Sequence, residues 1–461
     1  MKVLLISSNV SKTPYPVYPL GMSIIASALQ NSKHQVKQID FLSLDRSIGA
    51  VTSNVLEFMP DMIGISIRNI DNVNLLNEEQ YIQIVKDLIQ EIRKITRVKI
   101  VLGGSAFSVM PGAILDFLEA DYGFVGEGEK LFREFVTNAE KNIFPKEKII
   151  YSDKYLQTDE QGIALYDPAI MNFYLTTGGF TGNLQTKRGC PHKCIYCSYP
   201  LLEGGAFRPR DYEKVVDDIE LLIKQFGIKL LFFTDSVFND REGHYLKVLK
   251  EMKRRKISFP WTAFIKPEGL LERDVALMKE TGLAGAELGS DASTDITLKR
   301  LGKSFSFKDI VFSNNLFADF DIPVAHYIMF GTPGETFTSV KEGVENIKNL
   351  KNSVSFIFMG IRILPDTPLF SLAVNEKIIT KDLNMIKPVY YIAPQTPASE
   401  LETVLTEEFK NTKHCIFPAD SLETSVEFMH KLGKSGVLWD MLIPGKGRRR
   451  NIKRNTPADH S

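Results

Sequence analysis

The sequence is short of cysteine, of net charge and of long apolar stretches. Four of its 461 residues are cysteine and three of these lie close together, so no disulfide framework is expected. Lysine plus arginine and aspartate plus glutamate both number 56, and this zero net charge gives no indication of a nucleic-acid partner. No run approaches the roughly eighteen apolar residues of a membrane span, and the first apolar run is too short for a signal peptide. We therefore predict a folded, cytoplasmic protein without a membrane span.

Short apolar runs alternate with helical patterns in the first part of the chain. The predicted strands are 2–8, 36–41, 62–67, 99–104 and 122–125. Between the third and fourth, Ile84, Val85, Leu88 and Ile92 share one face of a helix. At this length two or more domains are expected. The alternation predicts an α/β fold that begins with a doubly wound, Rossmann-like domain over residues 1–138.

Small or polar residues follow these strands, at the edge where doubly wound sheets bind their ligands. The candidate binding residues are Leu20, Gly21, Arg68, Gly103, Gly104, Ser105, Gly126 and Glu127. A single glycine in such a turn is explained equally well by relief of backbone strain. Only the set as a whole indicates a ligand site.

A second α/β series follows a polar, proline-punctuated stretch, 139–178, that is typical of an interdomain linker. Its predicted strands are 180–187, 229–235, 260–266, 284–289, 324–331 and 354–362. The clearest helix begins after Asp211, a candidate N-cap, and ends at Gly227. Six β/α units over residues 179–370 predict a partial barrel with its chemistry at the strand ends.

The C-terminal part loses this rhythm. Residues 371–445 are predicted to be mostly helical and to cap the barrel over the substrate, with Tyr390, Tyr391 and Trp439 as candidate lining residues, although core packing explains these aromatics equally well. The tail 446–461 concentrates lysine and arginine, which favours a solvated, disordered segment over an anion site.

Three cysteines form the most specific pattern in the chain: Cys190, Cys194 and Cys197, in a loop after a predicted strand. Three thiolates are one fewer than the ligands of a closed zinc site or of a fully ligated iron-sulfur cubane. His192 and the distant Cys415 are the candidates for a fourth zinc ligand. A cubane held by three cysteines instead keeps one iron open for a small molecule.

The Cys-x3-Cys-x2-Cys spacing, with Tyr196 before the last cysteine, resembles the cluster loop of the radical S-adenosylmethionine (SAM) superfamily. The resemblance implies a [4Fe-4S] cluster on these cysteines, SAM on the open iron, and an electron donor such as flavodoxin or ferredoxin. It also implies SAM contacts at three strand ends, at Asp235, Ser236, Glu287, Ser290, Gly331 and Glu335. Each acidic residue is alternatively a helix cap or a salt-bridge partner.

The N-terminal turn residues, placed ahead of such a cluster loop, resemble the cobalamin-binding domain of cobalamin-dependent radical SAM enzymes. The Asp-x-His-x-x-Gly signature is absent from the sequence. The resemblance therefore implies cobalamin bound without a protein histidine on cobalt.

Most members of this architecture are methyltransferases, so the resemblance implies methylation of an unactivated carbon in a small molecule, either a lipid or a specialised metabolite. Two alternatives stay open: a cyclase, rearrangement or ring-contraction enzyme without methyl transfer, and a non-catalytic cobalamin or redox sensor. A methylthiotransferase would carry three further cluster cysteines before Cys190, and the sequence has none there.

Overall fold

The structure is a computed structural model, and it describes residues 1–12, 16–152, 155–157 and 160–444. It separates into two compact units, one formed by Met1–Gly227 and Arg362–Tyr390, the other by Ile228–Ile361 and the chain from Tyr391 onward. The predicted tail 446–461 lies outside the described residues. Among the described helices, none combines the length and the apolar character that crossing a bilayer requires.

The first unit begins with a six-stranded parallel sheet. Its strands are β1 (Lys2–Ser7), β2 (Gln35–Asp40), β3 (Met62–Ser66), β4 (Lys99–Gly103), β5 (Tyr122–Val125) and β6 (Ile149–Tyr151). They lie in the order β2-β1-β3-β4-β5-β6. This order confirms the predicted doubly wound fold, and the point where it reverses, between β1 and β3, is where such sheets bind ligands.

Helices connect these strands and cover the sheet. They are α1 (Leu20–Gln30), α2 (Ile48–Phe58), α3 (Ile82–Ile95), α4 (Ser105–Val109), α5 (Pro111–Leu118), α6 (Gly128–Ala139) and α7 (Pro168–Thr177). The predicted apolar face is clearest in α3, which buries Ile82, Val85, Leu88, Ile89 and Ile92. These positions recur at helical spacing, so one stripe of α3 packs inward while its charged residues stay outside.

The stretch predicted as a linker, 139–178, has more regular structure than expected. It holds β6, which pairs in parallel with β5, and α7, whose cap Asp167 accepts hydrogen bonds from the N–H groups of Ala169 and Ile170. The compact units therefore do not divide at residues 138 and 178. A three-residue strand is too short for its alternation to show in a polar sequence, and its pairing with β5 forms only in the folded chain.

The remainder of the segment Met1–Gly227 carries the cysteine loop. Its elements are β7 (Thr181–Leu184), β8 (Lys187–Arg188), α8 (Tyr199–Glu203), β9 (Arg208–Pro209) and α9 (Tyr212–Phe226). Strands β8 and β9 pair antiparallel, with Arg188 opposite Arg208. The predicted caps of α9 are confirmed, since Asp211 accepts from two N–H groups of the first turn and Gly227 adopts φ +63° at the end.

The second unit repeats the β/α alternation. Its strands are β10 (Leu230–Phe233), β11 (Trp261–Ile265), β12 (Leu283–Asp291), β13 (Val324–Phe330) and β14 (Ser353–Met359). Its helices are α10 (His244–Arg254), α11 (Glu272–Thr281), α12 (Asp295–Arg300), α13 (Phe307–Asp319) and α14 (Phe337–Lys348). Each of these strands pairs in parallel with the next, as expected of consecutive β/α units.

The C-terminal part is helical with short strands. Its elements are β15 (Ile361–Arg362), α15 (Pro368–Asn375), β16 (Tyr390–Tyr391), α16 (Ala398–Phe409), β17 (Cys415–Ile416) and α17 (Glu423–Lys431). Strand β17 extends the sheet of the second unit by pairing with β14. Cys415 is therefore a buried strand residue, and burial raises the pKa of its thiol to about 11, as suits a small core side chain rather than a metal ligand.

Candidate functional site

Gly189 fixes the start of the cysteine loop in the first unit. It follows β8 directly and adopts φ +84°, which favours glycine. A Cβ at this position would lie 2.0 Å from the carbonyl oxygen of Ala206, so no side chain fits. The N–H of Gly189 donates to Glu203 Oε2 at 3.0 Å, and the N–H of Cys190 donates to the carbonyl oxygen of Gly204 at 3.0 Å. The backbone thus holds the first cysteine against the β8–β9 pair.

Cys194 and Cys197 lie on the turn that follows. The N–H of Cys197 donates to the carbonyl oxygen of Cys194 at 3.2 Å, and Ile195 accepts a bond of 2.8 Å from the N–H of Leu369. Both side chains are half-buried, whereas Cys190 is buried. The loop is anchored before, within and after the cysteines, yet leaves two of them accessible, which fits a cluster with one open iron.

No three His, Cys, Asp or Glu side chains of the described residues converge on a single metal-ion position. A cubane is held at separate corners by separate thiolates, so its ligands have no need to converge in this way. The three cysteines therefore stay the predicted ligands, on the strength of their loop and spacing.

The predicted cobalamin residues lie at the carboxyl edge of the N-terminal sheet. Gly104 adopts φ +97°, and a Cβ there would lie 2.5 Å from the carbonyl oxygen of Ile67. Only glycine therefore allows the loop after β4 to touch the loop after β3. Ser105 Oγ donates to the carbonyl oxygen of Arg68 at 2.8 Å and joins the same two loops. The edge is a connected backbone surface rather than a row of independent turns.

Two further glycines leave this surface open. A Cβ at Gly21 or at Gly103 would meet no atom within 4 Å. The N–H of Gly126 donates to Ser108 Oγ at 3.1 Å, which ties the loop after β5 to α4. Backbone free of side chains at a switch point fits a large flat group such as a corrin ring. Leu20, at the start of α1, lies on the same edge.

A buried hydrogen-bonded chain at this edge was missed from the sequence. Asn9 Nδ2 donates to Tyr174 Oη at 2.9 Å, and Tyr174 Oη donates to Asp40 Oδ2 at 3.1 Å. Burial raises the pKa of Asp40 to about 6, against the hydrogen bonds it accepts. No local pattern marked this chain, because Asn9 follows β1, Asp40 ends the largely polar β2, and Tyr174 comes from the predicted linker.

Glu127 lies in the loop after β5, as predicted, but its carboxylate is engaged by protein groups. It accepts from the N–H of Leu156 at 2.5 Å and from Arg208 Nη2 at 2.6 Å, and it lies 3.1 Å from Arg188 Nη1. Burial alone would raise its pKa, but the bonds from Arg208 and the charge of Arg188 bring the pKa below its usual value. The lowered pKa of Glu127 therefore favours its charged form.

The predicted SAM residues lie in the second unit, in different surroundings. Asp235 and Ser236 follow β10, with Asp235 buried and Ser236 half-buried. Glu287, on β12, accepts from Tyr327 Oη at 2.7 Å and lies 3.1 Å from Thr262 Oγ1. Burial raises the pKa of Glu287, although both hydroxyl contacts lower it.

The hydroxyl of Thr262 indicates where a proton sits. Thr262 Oγ1 lies 2.9 Å from the carbonyl oxygen of Gly285 as well as 3.1 Å from Glu287 Oε1. A hydroxyl has one proton to donate, and a carbonyl oxygen accepts only. Thr262 therefore donates to one of these two oxygens at a time, and when it donates to Gly285 the charged form of Glu287 loses that bond, which favours its protonated form. The raised pKa of Glu287 favours that protonated form.

Ser290 lies on the other face of the same sheet. Its hydroxyl is 2.8 Å from His326 Nδ1, and His326 Nε2 is 3.0 Å from Asn314 Oδ1 on α13. His326 precedes Tyr327 in β13, and successive strand residues face opposite sides. Ser290 thus faces the helix layer, and the structure does not bring it together with Glu287. Burial lowers the pKa of His326 to about 3, so its ring is neutral.

Glu335 closes the turn after β13. Its carboxyl group accepts from the N–H groups of Gly331 and Thr332, and Gly331 adopts φ +84°. Burial raises the pKa of Glu335 to about 7 despite these two bonds. Its observed contacts shape the turn, and a contact between Glu335 or Gly331 and SAM stays a prediction.

The Glu287 face of the second unit also carries a row of aromatic rings. Ring centroids of Phe232 and Phe264 are 5.3 Å apart, those of Phe264 and Tyr327 are 6.1 Å apart, and those of Tyr327 and Phe356 are 5.6 Å apart. Phe264 is 37% exposed although it is a central strand residue. An exposed aromatic ring beside a buried polar group is typical of a binding surface. Trp439 also lies on this face, since a Cβ at Gly285 would be 2.8 Å from its ring.

Two family models match the chain, the B12 binding domain over residues 6–136 and the radical SAM superfamily over residues 184–347. The tryptophan 2-C-methyltransferase of Streptomyces laurentii is 23% identical over 433 residues, which cover 76% of this chain and 71% of the relative. An uncharacterized methyltransferase of Pyrococcus horikoshii is 25% identical over 346 residues, 72% of this chain and 73% of the relative.

Solved structures share the fold along almost the whole length. The radical SAM methyltransferase TsrM of Kitasatospora setae, solved with its tryptophan substrate and a SAM analog, matches with a TM-score of 0.83 and 21% identity over 98% of this chain and 99% of that one. The same protein with cobalamin and a [4Fe-4S] cluster bound matches with a TM-score of 0.82. The cysteine loop and the N-terminal sheet edge thus belong to one shared architecture.

Proposed function

Because the chain belongs to the cobalamin-dependent radical SAM enzymes, we propose that it is a methyltransferase acting on a small aromatic specialised metabolite. Its cofactors are a [4Fe-4S] cluster, SAM and cobalamin. The observation that carries the proposal is the presence, in the first unit alone, of an anchored three-cysteine loop and an open glycine edge at a switch point. The two relatives named above are methyltransferases, which supports methyl transfer over other radical chemistry.

The role proposed for each residue follows from its position in the fold. When bound, the cluster supplies an electron to SAM and the corrin supplies methyl-group transfer. Cys190, Cys194 and Cys197 would hold the cluster, with Gly189 keeping the loop close to the β8–β9 pair. The backbone at Gly103 and Gly104 would support the corrin, and Asp40 would hold a proton near that edge because burial raises its pKa to about 6, although the hydroxyl of Tyr174 donates to it. An external reductant such as flavodoxin or ferredoxin would supply the electron.

The aromatic face of the second unit supports the choice of substrate. Phe232, Phe264, Tyr327 and Phe356 offer flat apolar area, and flat rings pack against one another with centroids about 4.5–7 Å apart. Glu287 provides one polar group on that face. A planar ring with one N–H or O–H group fits this combination better than a lipid chain, so tryptophan, whose indole ring carries one N–H, is the first compound to test.

The test is anaerobic purification and reconstitution, followed by quantification of iron, sulfide and cobalamin. The protein is then incubated with methyl-labelled SAM, a reductant and tryptophan or related indoles, and labelled product is measured by mass spectrometry. We expect both cofactors and a labelled product. Changing all three loop cysteines to alanine should abolish iron binding and turnover, whereas Cys415→Ala, remote in sequence, should retain iron.

The outcomes separate the parts of the proposal. Iron without cobalamin would remove the role of the N-terminal sheet edge. Both cofactors with conversion of the substrate but no label transfer would favour a cyclase or rearrangement enzyme. Both cofactors with no turnover on any aromatic compound, but label on a lipid, would overturn the substrate class alone.

A further inference from the structure

Four charged side chains in the first unit form a buried network that the sequence did not suggest. Arg188 Nη2 lies 2.5 Å from Glu129 Oε1, and Arg188 Nη1 lies 3.1 Å from Glu127 Oε1. Arg208 Nη2 lies 2.6 Å from the same Glu127 oxygen. The side chains are between 5% and 11% exposed. Two carboxylates and two guanidinium groups leave the network with no net charge.

The network joins two parts of the chain that carry different cofactor residues. Glu127 ends the loop after β5 and Glu129 lies in the first turn of α6, both within the residues that match the B12 binding domain. Arg188 ends β8, directly before Gly189 and Cys190, and Arg208 lies opposite it in β9. The contacts are thus made between one edge of the N-terminal sheet and the base of the cysteine loop.

Three of the four charges in the network, those of Glu127, Arg188 and Arg208, have more than one partner. Arg208 also donates to the carbonyl oxygens of Leu156 and Glu203, and Glu127 also accepts from the N–H of Leu156. Burial would lower the pKa of Arg188, but the charges of Glu129 and Glu127 raise it above its usual value. A buried charge that loses its partner is strongly unfavourable, so the four groups must move together or not at all.

We infer that Glu127, Glu129, Arg188 and Arg208 are positioning residues that fix the cysteine loop against the cobalamin edge, so that a change on one side alters the binding of the cofactor on the other. A shift of Arg188 passes directly to Cys190, because Gly189 between them is confined by Ala206. Arginine suits this task, since its planar fork bonds two carboxylates at once. In this arrangement Glu127 acts through Arg188 and Arg208, and not by contact with cobalamin.

The inference relies on the proposed function only in requiring that both cofactors bind. In its test, each variant changes the region of one cofactor and the binding or spectrum of the other cofactor is measured. Arg188→Gln changes a residue outside the B12-matching region, and we expect the dissociation constant for hydroxocobalamin, measured by absorbance on cluster-loaded protein, to rise roughly tenfold. Glu129→Gln changes a residue outside the cysteine loop, and we expect a shifted EPR spectrum of the reduced cluster. Neither readout needs methyl transfer, so a protein that binds both cofactors without methylating anything still tests the inference.

Asp218→Asn is the matched control. Asp218 pairs with Arg210 at 2.5 Å in the same unit, and both side chains are 12% exposed. Within the described part of the chain, neither side chain of this pair bonds to the loop after β5, and the pair lies within a single cofactor region. Its loss should lower the thermal unfolding midpoint while leaving the cobalamin affinity and the cluster spectrum as in the wild type.

Arg188→Lys keeps the charge and covers the case in which Arg188→Gln does not fold. A lysine reaches one carboxylate rather than two, so we expect an intermediate loss of cobalamin affinity. Wild-type cobalamin affinity in both Arg188 variants, or an unchanged cluster spectrum in Glu129→Gln, would overturn the inference. The inference would also be overturned if Asp218→Asn changed the cobalamin affinity and the cluster spectrum as much as the network variants do. Such equal changes would reflect general destabilisation.

Discussion

The first and second units each bury a glutamate beside the chemistry proposed for them, and they treat its charge in opposite ways. Glu127 meets two guanidinium groups, which bring its pKa below the usual value against the effect of burial. Glu287 meets only hydroxyl groups, and burial raises its pKa above the usual value. The first is a fixed anion that holds two loops together, whereas the second is a carboxyl group able to hold a proton on a binding face.

The difference follows from the available partners rather than from depth of burial, since both residues are less than 8% exposed. An arginine fork compensates the lost hydration of a carboxylate, and the pair then resists titration. Hydroxyl groups compensate it less, so the neutral form becomes competitive. A buried carboxyl group without a cation is therefore the better candidate for proton transfer.

The largest effect that tests this contrast is the expected difference in the free energy of unfolding between Glu127→Gln and Glu287→Gln. Glu127→Gln leaves two buried guanidinium groups short of a negative charge and should lower the free energy of unfolding by about 3–5 kcal/mol. Glu287→Gln keeps an acceptor for Tyr327 and a donor for Thr262, so it should change stability by less than about 1 kcal/mol. Urea unfolding of the holoprotein measures both. Equal losses would show that the two carboxyl groups are not in different protonation states.

Glu335 in the second unit and Glu127 in the first should contribute to the pH dependence of stability with opposite signs. Glu335 has its pKa raised from 4.5 to about 7 by burial, so the folded state binds more protons than the unfolded state between these values. Its stabilising effect is complete below pH 4.5 and is lost as the pH rises through about 7, a loss on the order of 3 kcal/mol. Glu127, with a lowered pKa, loses its effect only when the pH falls through its folded value.

Unfolding of Glu335→Gln between pH 4.5 and 7.5 measures this contribution. The amide does not titrate, so the fall in stability with rising pH should be smaller than in the wild type. Thr332→Val, in the same turn and without a titrating group, keeps the backbone N–H that bonds Glu335, so it serves as the matched control and should keep the wild-type slope. A wild-type slope in Glu335→Gln would place the titration elsewhere.

The smallest effect is expected for Tyr327→Phe. It removes the 2.7 Å bond to Glu287 without opening space, so the free energy of unfolding should fall by about 1 kcal/mol. Because that bond lowers the pKa of Glu287, its loss should raise the pKa further and move any pH profile of turnover upward. Phe356→Leu, which alters the neighbouring ring but no hydrogen bond, should leave the profile in place.

Much of the architecture could be predicted from the order of residues along the chain. Strand and helix periodicity predicted the doubly wound domain, the successive β/α units and the caps of α9, because these depend on residues within one or two turns of each other. The three cysteines of the loop lie within eight positions, so their spacing indicated a metal site, and its resemblance to the radical SAM cluster loop implied a cluster with an open iron. The sequence predicted five strands in the N-terminal sheet, whereas the structure has six. The sixth strand, β6, is recognisable only by its pairing with β5.

The roles of individual buried residues depended on the tertiary structure. Glu127 and Arg208 are 81 positions apart, and Tyr174 and Asp40 are 134 apart, so no local pattern links them. Whether a carboxylate stays charged depends on which group the fold brings within hydrogen-bond reach, and a sequence shows only that a carboxylate is present. Chain order thus specified which cofactors to expect, and three-dimensional packing determined that Glu127 holds a charge while Glu287 is suited to hold a proton.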